Sequence, residues 1–482
     1  SEIKLTPSDS QAGDLFGASI ALDGDYLLVG APGADMNVGA AYVFRRTETG
    51  WVEEAKLTAS DGSSQEDFND FGWTVALDGD FAVIGAAKTR FLFDIPQEKG
   101  AVYVFVRTDT GWVEQEKLTS IDPMPGEFFG YSTSLSGNRL IIGAPGVVGE
   151  LSKGTAYIFE RRGNDWVRTQ TLTASDAREQ QFLGSSVWFS GDLALVGAPG
   201  CCRISGVTYV FKEVNGVWQE QAKLKAGDEQ GGNLFGTAIA GSQDVALIGS
   251  EGWTSLRGKV YVFQETESGW VQQADLKLDL VPSNDRARFG QTVTLSGDFA
   301  LIGATHWGPQ LAPGEAYLFK RMDTAWEEQL KLTASDGFNG DTFGWSVGLT
   351  GQYAVIGAPG YTPPTDNTGA VYIYDLATVV RVREQPSAIP ETFSLEQNYP
   401  NPFNPTTVIP YRLASGSQVE LTVYNALGQR IKTLLRQKQA AGAYQLTWDG
   451  TDDRGRKVAS GVYLYRLKAG EFVDVKKMIL MR

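Results

Sequence analysis

The chain has 482 residues, a net charge of −15 and 42% apolar residues, room for a large domain plus a small module, and an acidic balance that excludes nucleic acid and anionic lipid as partners. Glycine is frequent, at 56 residues, with no collagen period, which suits many short strands joined by tight turns. No apolar run approaches the roughly 20 residues that a membrane helix needs, so no membrane span is expected.

The charge is uneven. Residues 393–482 carry 13 Lys+Arg and 7 Asp+Glu, a net of +6, which leaves −21 for the remainder. Two domains of different character are expected. The first residues, SEIKLTPSDS, contain no basic-then-apolar stretch, so an exported protein would carry this numbering in its mature form.

From the N-terminus a repeat is visible. A Phe-Gly or near match places its glycine at Gly17, Gly72, Gly130, Gly184, Gly236, Gly290 and Gly344. Thirteen residues after each comes a second glycine, at Gly30, Gly85, Gly143, Gly197, Gly249, Gly303 and Gly357, usually opening Gly-Ala-Pro. An aromatic segment follows, marked by Tyr42, Tyr103, Tyr157, Tyr209, Tyr261, Tyr317 and Tyr372. Nine residues beyond each of the first six tyrosines lies Trp51, Trp112, Trp166, Trp218, Trp270 or Trp326. Each unit reads as four short strands, A to D, rich in Val, Ile, Tyr, Phe and Trp. Two-residue A–B hairpins are expected at Asp23-Gly24, Asp78-Gly79, Ser136-Gly137, Ser190-Gly191 and Ser296-Gly297. Four antiparallel strands at this period predict a β-propeller of seven blades. The strand-D leucine occurs at Leu5, Leu57, Leu118, Leu172, Leu224, Leu276 and Leu332, the first of them ahead of blade one. Blade seven ends at VYIYDLAT without its own strand D, so the N-terminal strand is expected to complete it and close the ring.

These residues resemble the FG-GAP repeat family, known from the head of integrin α-chains, over about residues 1–376. The resemblance implies an extracellular propeller that binds other molecules. Calcium-binding blades of that family carry an Asp-x-Asp-x-Asp-Gly loop between strands A and B. Here that interval is a fixed 13 residues filled by strand, turn and strand, so Asp23 and Asp25 read as turn residues and no metal is carried over.

Residues 376–392 read as a linker between a propeller at 1–375 and a module at 393–482. The module opens on FSLEQNYPNPFNPTTVIPYRL, with the core Tyr399-Pro400-Asn401-Pro402-Phe403-Asn404-Pro405. This resembles the type IX secretion sorting domain, an Ig-like sandwich similar to that of the flagellar hook-capping protein. Short alternating strands with turns at Gly428, Gly442, Gly455, Gly461 and Gly470 give the same sandwich from the residues alone. The fold class is thus all-β: a seven-bladed propeller followed by a small Ig-like β-sandwich. The resemblance implies export by the type IX machinery as a partner, and an extracellular or cell-surface location. Asp449, Asp452 and Asp453 lack calcium-loop spacing and read as a turn.

Catalytic patterns are sparse. His306 is the single histidine, and no Gly-x-Ser-x-Gly, Cys-x-x-Cys or His-x-x-x-His spacing occurs. Asp9, Asp61, Asp122, Asp176, Asp228, Asp285 and Asp336 recur once per blade, which fits turns or caps better than the single asymmetric site that catalysis needs. Cys201 and Cys202 are adjacent; they form either a strained vicinal disulfide or two thiols. No cofactor and no enzymatic activity are expected. Three function classes follow: a surface binding or adhesion propeller, a self-assembling subunit of an extracellular filament or sheath, and, least supported, a carbohydrate-active enzyme.

The loop lengths locate a binding face. A–B spacings are 13 residues in all units and C–D spacings nine in the six with a tryptophan, whereas B–C and D–A spacings vary. All variation falls on one face, where function is expected. That face gathers Phe91, Phe93, Trp253, His306, Trp307 and Tyr361 as candidate contacts for a glycan or protein ligand.

Overall fold

The computed structural model describes residues 2–62, 70–87, 100–121, 126–146, 153–200, 204–228, 232–252, 257–278, 286–306, 312–322, 325–360, 368–376, 392–398, 401–403, 406–439 and 441–481. The chain divides into two compact units, Ser1–Val380 and Arg381–Arg482.

In the first unit the described residues form seven four-stranded antiparallel sheets in simple A-B-C-D order. Blade one is typical: strands Ser19–Asp23, Tyr26–Ala31, Ala40–Thr47 and Gly50–Leu57. Strand A of each blade packs against strand A of the next, and strand A of blade seven, Ser346–Leu349, packs against that of blade one. The sheets therefore close into a ring with strand A innermost. The outermost strand of blade seven is Glu2–Leu5, which pairs antiparallel with Ala370–Asp375 in the register Leu5↔Val371.

The repeat residues are those that touch between or across strands. The phenylalanine of each Phe-Gly packs on the Tyr-x-aromatic pair of strand C in its own blade. Phe16 lies 5.6 Å from Tyr42 and 5.9 Å from Phe44, edge to face, a geometry that aromatic quadrupoles favour. The strand-D tryptophan instead bridges blades: Trp112 meets Tyr26 of blade one, Trp166 meets Phe81 of blade two, and Trp51 meets Tyr353 of blade seven. The paired glycines make close contacts between blades. Gly72 has φ +96°, and a Cβ there would stand 2.3 Å from the carbonyl oxygen of Ala40; a Cβ on Gly30 would stand 2.0 Å from the carbonyl of Gly72. Blades approach backbone to backbone at these points, so no side chain fits.

The A–B turns differ from expectation by one residue. The register Asp23↔Tyr26 makes Gly24-Asp25 the two-residue loop, with Gly24 at φ +55°. Glycine stands at the first central position, as a type II′ hairpin requires, and Asp23 is the last strand residue. The Asp23 carboxylate accepts the Gly79 N–H of the next blade at 2.8 Å, and Asp78 likewise accepts that of Gly137.

The second unit holds two sheets. One contains Ser394–Leu395, Thr407–Leu413 and Gly442–Trp448; the other contains Arg430–Gln439, Ser417–Asn425, Gly461–Ala469 and Phe472–Leu480. Trp448, Tyr411, Tyr465, Leu421 and Met478 are buried together in its core. The proline-rich lead-in is part of this sandwich. Phe403 is 2% exposed, bridges to Leu480 in parallel and packs 5.7 Å from the Trp448 ring. Asn401 Oδ1 accepts the Ile479 N–H at 2.9 Å.

Candidate functional site

Strand A begins, and strand B ends, on the face that carries the B–C and D–A loops. The residues directly after the Phe-Gly glycines ring the start of the innermost strands: Ala18, Trp73, Tyr131, Ser185, Thr237, Gln291 and Trp345. Three of these are aromatic, and they come from neighbouring or nearby blades. Trp73 and Tyr131 have ring centroids 5.8 Å apart at a 48° tilt.

Blades five and six are polar at this level because they break the Gly-Ala-Pro pattern. Where other blades place proline or alanine after strand B, they place Glu251 and Thr305. Glu251 pairs with Arg288 at 2.5 Å, and Thr305 donates to Gln291 Oε1 at 2.5 Å. Burial pushes the Tyr131 hydroxyl pKa up, and the charge of Glu251 pushes it further. The face thus carries an aromatic pair, Trp73 and Tyr131, and in blades five and six an ion pair and an amide, groups suited to ring stacking and to polar orientation. Among the described residues no group of three His, Cys, Asp or Glu side chains is gathered to hold a metal.

The once-per-blade acids make a clamp. Asp9 accepts the Tyr42 hydroxyl at 2.8 Å and the Lys56 ammonium at 2.7 Å. Asp61 does the same with Tyr103 and Lys117, Asp176 with Tyr209 and Lys223, and Asp336 with Tyr372 and Lys4. The preceding serine adds a second tie: Ser8 to Glu53, Ser60 to Glu114, Ser175 to Glu220 and Ser335 to Glu2. Each of these four D–A linkers is thereby fastened to strands C and D of the blade that it enters. Asp122 and Asp285 lie outside the described residues.

Of the sequence candidates for ligand contact, His306 is the one that the described residues include. Its side chain is 10% exposed, its backbone sits at φ +51° where blades three, four and seven carry glycine, and its Nε2 lies 3.4 Å from Glu315 Oε2. It packs inside blade six with Glu315, Tyr317 and Lys331 instead of facing solvent. Phe91, Phe93, Trp253, Trp307, Tyr361, Cys201 and Cys202 lie outside the described residues, as do Tyr399, Pro400, Asn404 and Pro405. Trp73, Tyr131 and Trp345 were not singled out in the sequence; the signal available for them was their shared position directly after Phe-Gly.

In the module, the aspartates hold turns. Asp449 Oδ1 takes the Thr451 N–H at 3.1 Å and Lys432 Nζ at 3.1 Å, Asp452 Oδ1 takes the N–H groups of Arg454 and Arg456, and Asp453 Oδ1 takes that of Thr433.

No curated protein matches the chain. Among solved structures, PorZ of Porphyromonas gingivalis, described as an essential bacterial surface component of the type IX secretion system, is similar at 11% identity with a TM-score of 0.47. The match covers 99% of this chain and 61% of that one, so the chain spans about three fifths of that protein's length. The FlgD Ig-like domain profile matches residues 404–471. The FG-GAP repeat profile matches 1–44, 51–105, 112–159, 166–211, 218–263 and 326–374, passing over the repeat that carries Arg288, His306 and Glu315. Over more than half its length, therefore, this chain belongs to the FG-GAP repeat family.

Proposed function

We propose that the protein is a non-catalytic binding propeller, exported by the type IX machinery through residues 393–482 and displayed outside the cell, with its ligand on the B–C/D–A face. The observation that carries this reading is the Trp73–Tyr131 aromatic pair at the start of the innermost strands, with Trp345 at the same position of blade seven and the polar groups Glu251–Arg288 and Gln291 on the same face. Aromatic faces held rigidly at the ring centre give contact area at little entropic cost, and the ion pair and amide supply orientation. The B–C and D–A loops of variable length would add the specificity that distinguishes one ligand from another. A glycan or a protein hot spot fits this combination. The tail supports export because its Pro-Asn-Pro-Phe core resembles the opening of the type IX sorting domain.

The test is a glycan and surface-protein binding array with the full chain, repeated with Trp73→Ala plus Trp345→Ala. Loss of every bound probe with an unchanged fold supports the reading. Undiminished binding would place the ligand elsewhere. Separately, the chain without residues 393–482 should fold but stay inside the cell; its normal secretion would refute the sorting role.

A further inference from the structure

The outer face of the module's four-stranded sheet gathers cations beside exposed valines. Val419, Leu421, Val423, Tyr465 and Leu467 point into the sandwich core, so the residues between them point out. Register sets those outward residues side by side. Arg436, Glu420, Lys468 and Val473 make one row across the sheet, Thr422, Arg466 and Val475 the next, and Arg430, Tyr424, Leu464 and Lys477 the third. With Lys438 beside Gln418, six cations share these rows with one carboxylate. Glu420 lies 3.6 Å from Arg436, whereas Lys438, Lys468 and Lys477 are exposed and have no ion-pair partner among the described residues. Val462, Val473 and Val475 are 42%, 52% and 47% exposed on the same face. Apolar contact area ringed by unpaired cations fits an acidic protein surface.

The propeller has the complementary charge. Residues outside 393–482 carry a net −21. On the face that carries the A–B and C–D turns, five blades present an aspartate at one equivalent place: Asp25, Asp80, Asp192, Asp244 and Asp298. Each is the residue before strand B, and each is exposed. Strand A is innermost, so these carboxylates stand around the ring axis. Asp25, Asp80 and Asp244 pair with Arg46, Arg107 and Arg321, whereas Asp192 and Asp298 have no ion-pair partner among the described residues. The A–B spacing is 13 residues in every unit and the C–D spacing nine in six of them, so even turn lengths keep this face level, a match for a flat sheet.

We propose that the protein self-associates head to tail, the basic sheet face of one copy's module resting on the aspartate-bearing turn face of a second copy's propeller. Opposite charge selects this pairing, since two module faces repel and two turn faces repel. The two patches are different surfaces, so the contact is heterologous and builds a ring or an open series of copies, not a two-fold dimer. Four strands at about 4.8 Å and eight residues at about 3.4 Å span on the order of 500 Å². That is below the roughly 800 Å² per partner of a standard interface. The association is therefore weak and sensitive to salt. It uses neither the Trp73–Tyr131 pair nor the Pro-Asn-Pro-Phe segment, so it stands or falls separately from ligand binding and export.

The experiment is sedimentation velocity of the full chain over a concentration series, at low salt and at about 1 M salt, where the screening length falls to about 3 Å. The sedimentation coefficient should rise with concentration at low salt and hold at the monomer value at high salt. Lys468→Glu with Lys477→Glu puts acid on the module face, and Asp192→Lys with Asp298→Lys puts base on the turn face. None of these four side chains has an ion-pair partner among the described residues, so neither change breaks a printed tie within the fold. Each double variant alone should sediment as a monomer at low salt. An equimolar mixture of the two should associate again, because the acidic module of one meets the basic turns of the other; this restoration also shows that both variants are folded. Monomers at every concentration, association that survives high salt, a double variant that still associates alone, or a mixture that stays monomeric would overturn the proposal.

Discussion

Lys4 Nζ lies 2.6 Å from Asp336 Oδ2, so the fourth residue of the chain is held by the linker that enters the last blade. Glu2 adds to this: it accepts Ser335 Oγ at 2.6 Å and the Tyr374 hydroxyl at 2.8 Å. The N-terminal strand is thus received by the same serine–aspartate clamp that fastens the covalently continuous strand D of other blades. Deleting residues 1–9 should remove the ladder to Ala370–Asp375, the buried Leu5 and these ties, a loss of about 3 kcal/mol or more. Chemical denaturation should show the lower midpoint; an unchanged midpoint would show that closure does not depend on this strand.

The ring also closes through glycine. A Cβ on Gly357 would stand 2.1 Å from the Gly17 carbonyl oxygen and 2.3 Å from Ser346 Oγ, so blade seven and blade one would have to part. Gly357→Ala should cost about 3 kcal/mol or more. Gly79→Ala is the control: φ there is +58°, yet nothing lies within 4 Å of the new methyl, so only backbone strain of about 1 kcal/mol is expected. Equal losses for the two variants would mean that steric contact between blades is not what limits this position.

Most of the architecture was legible because its constraints are local and repeated. The Phe-Gly glycines, the strand-C tyrosines and the strand-D tryptophans each mark a contact that every blade must make, so one misread copy is corrected by six others. The turn register was misread by one residue because Asp-Gly is a strong hairpin signal, while the Asp23 carboxylate is spent on Gly79 of the next blade. The surroundings of His306 were hidden for a related reason. A lone histidine in an irregular loop reads as a surface group, and nothing local says that Glu315, nine residues on, turns back to meet it. Trp73 and Tyr131 were harder still: they stand 58 residues apart in sequence and meet only because the blades form a ring.

Glu315 gives the protein an acid-sensitive point. Burial opposes its ionisation, but His306, Lys331 and Tyr317 outweigh that and hold its pKa down to about 2. A carboxylate depressed in the folded state contributes stability above its unfolded value, near 4.5, and that contribution is lost as pH falls through about 2. Asp9, Asp61, Asp176 and Asp336 are lowered as well and act in the same direction. Unfolding midpoints measured between pH 6 and pH 2 should therefore fall towards acid, and the fall should be shallower in Glu315→Gln, which is already uncharged at every pH. An identical slope in that variant would assign the acid sensitivity to the other carboxylates.

The Pro-Asn-Pro-Phe segment holds its own domain together, and this makes a separable prediction. Phe403 plugs the sandwich beside Trp448, and its backbone exchanges hydrogen bonds with the last strand, Phe403 N to Ile479 O at 3.0 Å and Met481 N to Phe403 O at 2.9 Å. Truncating a fully buried phenylalanine costs about 3–5 kcal/mol, a large share of what a module of this size holds. Phe403→Ala should therefore unfold residues 393–482 at low denaturant while the propeller transition stays where it was, because its core clusters contain no residue of the module. Two probes separate the transitions: a tail truncated before residue 393 gives the propeller alone, and the isolated module gives the other. If secretion fails in Phe403→Ala yet the module melts normally, the phenylalanine is read directly by the export machinery; if both fail together, its role in export runs through the fold.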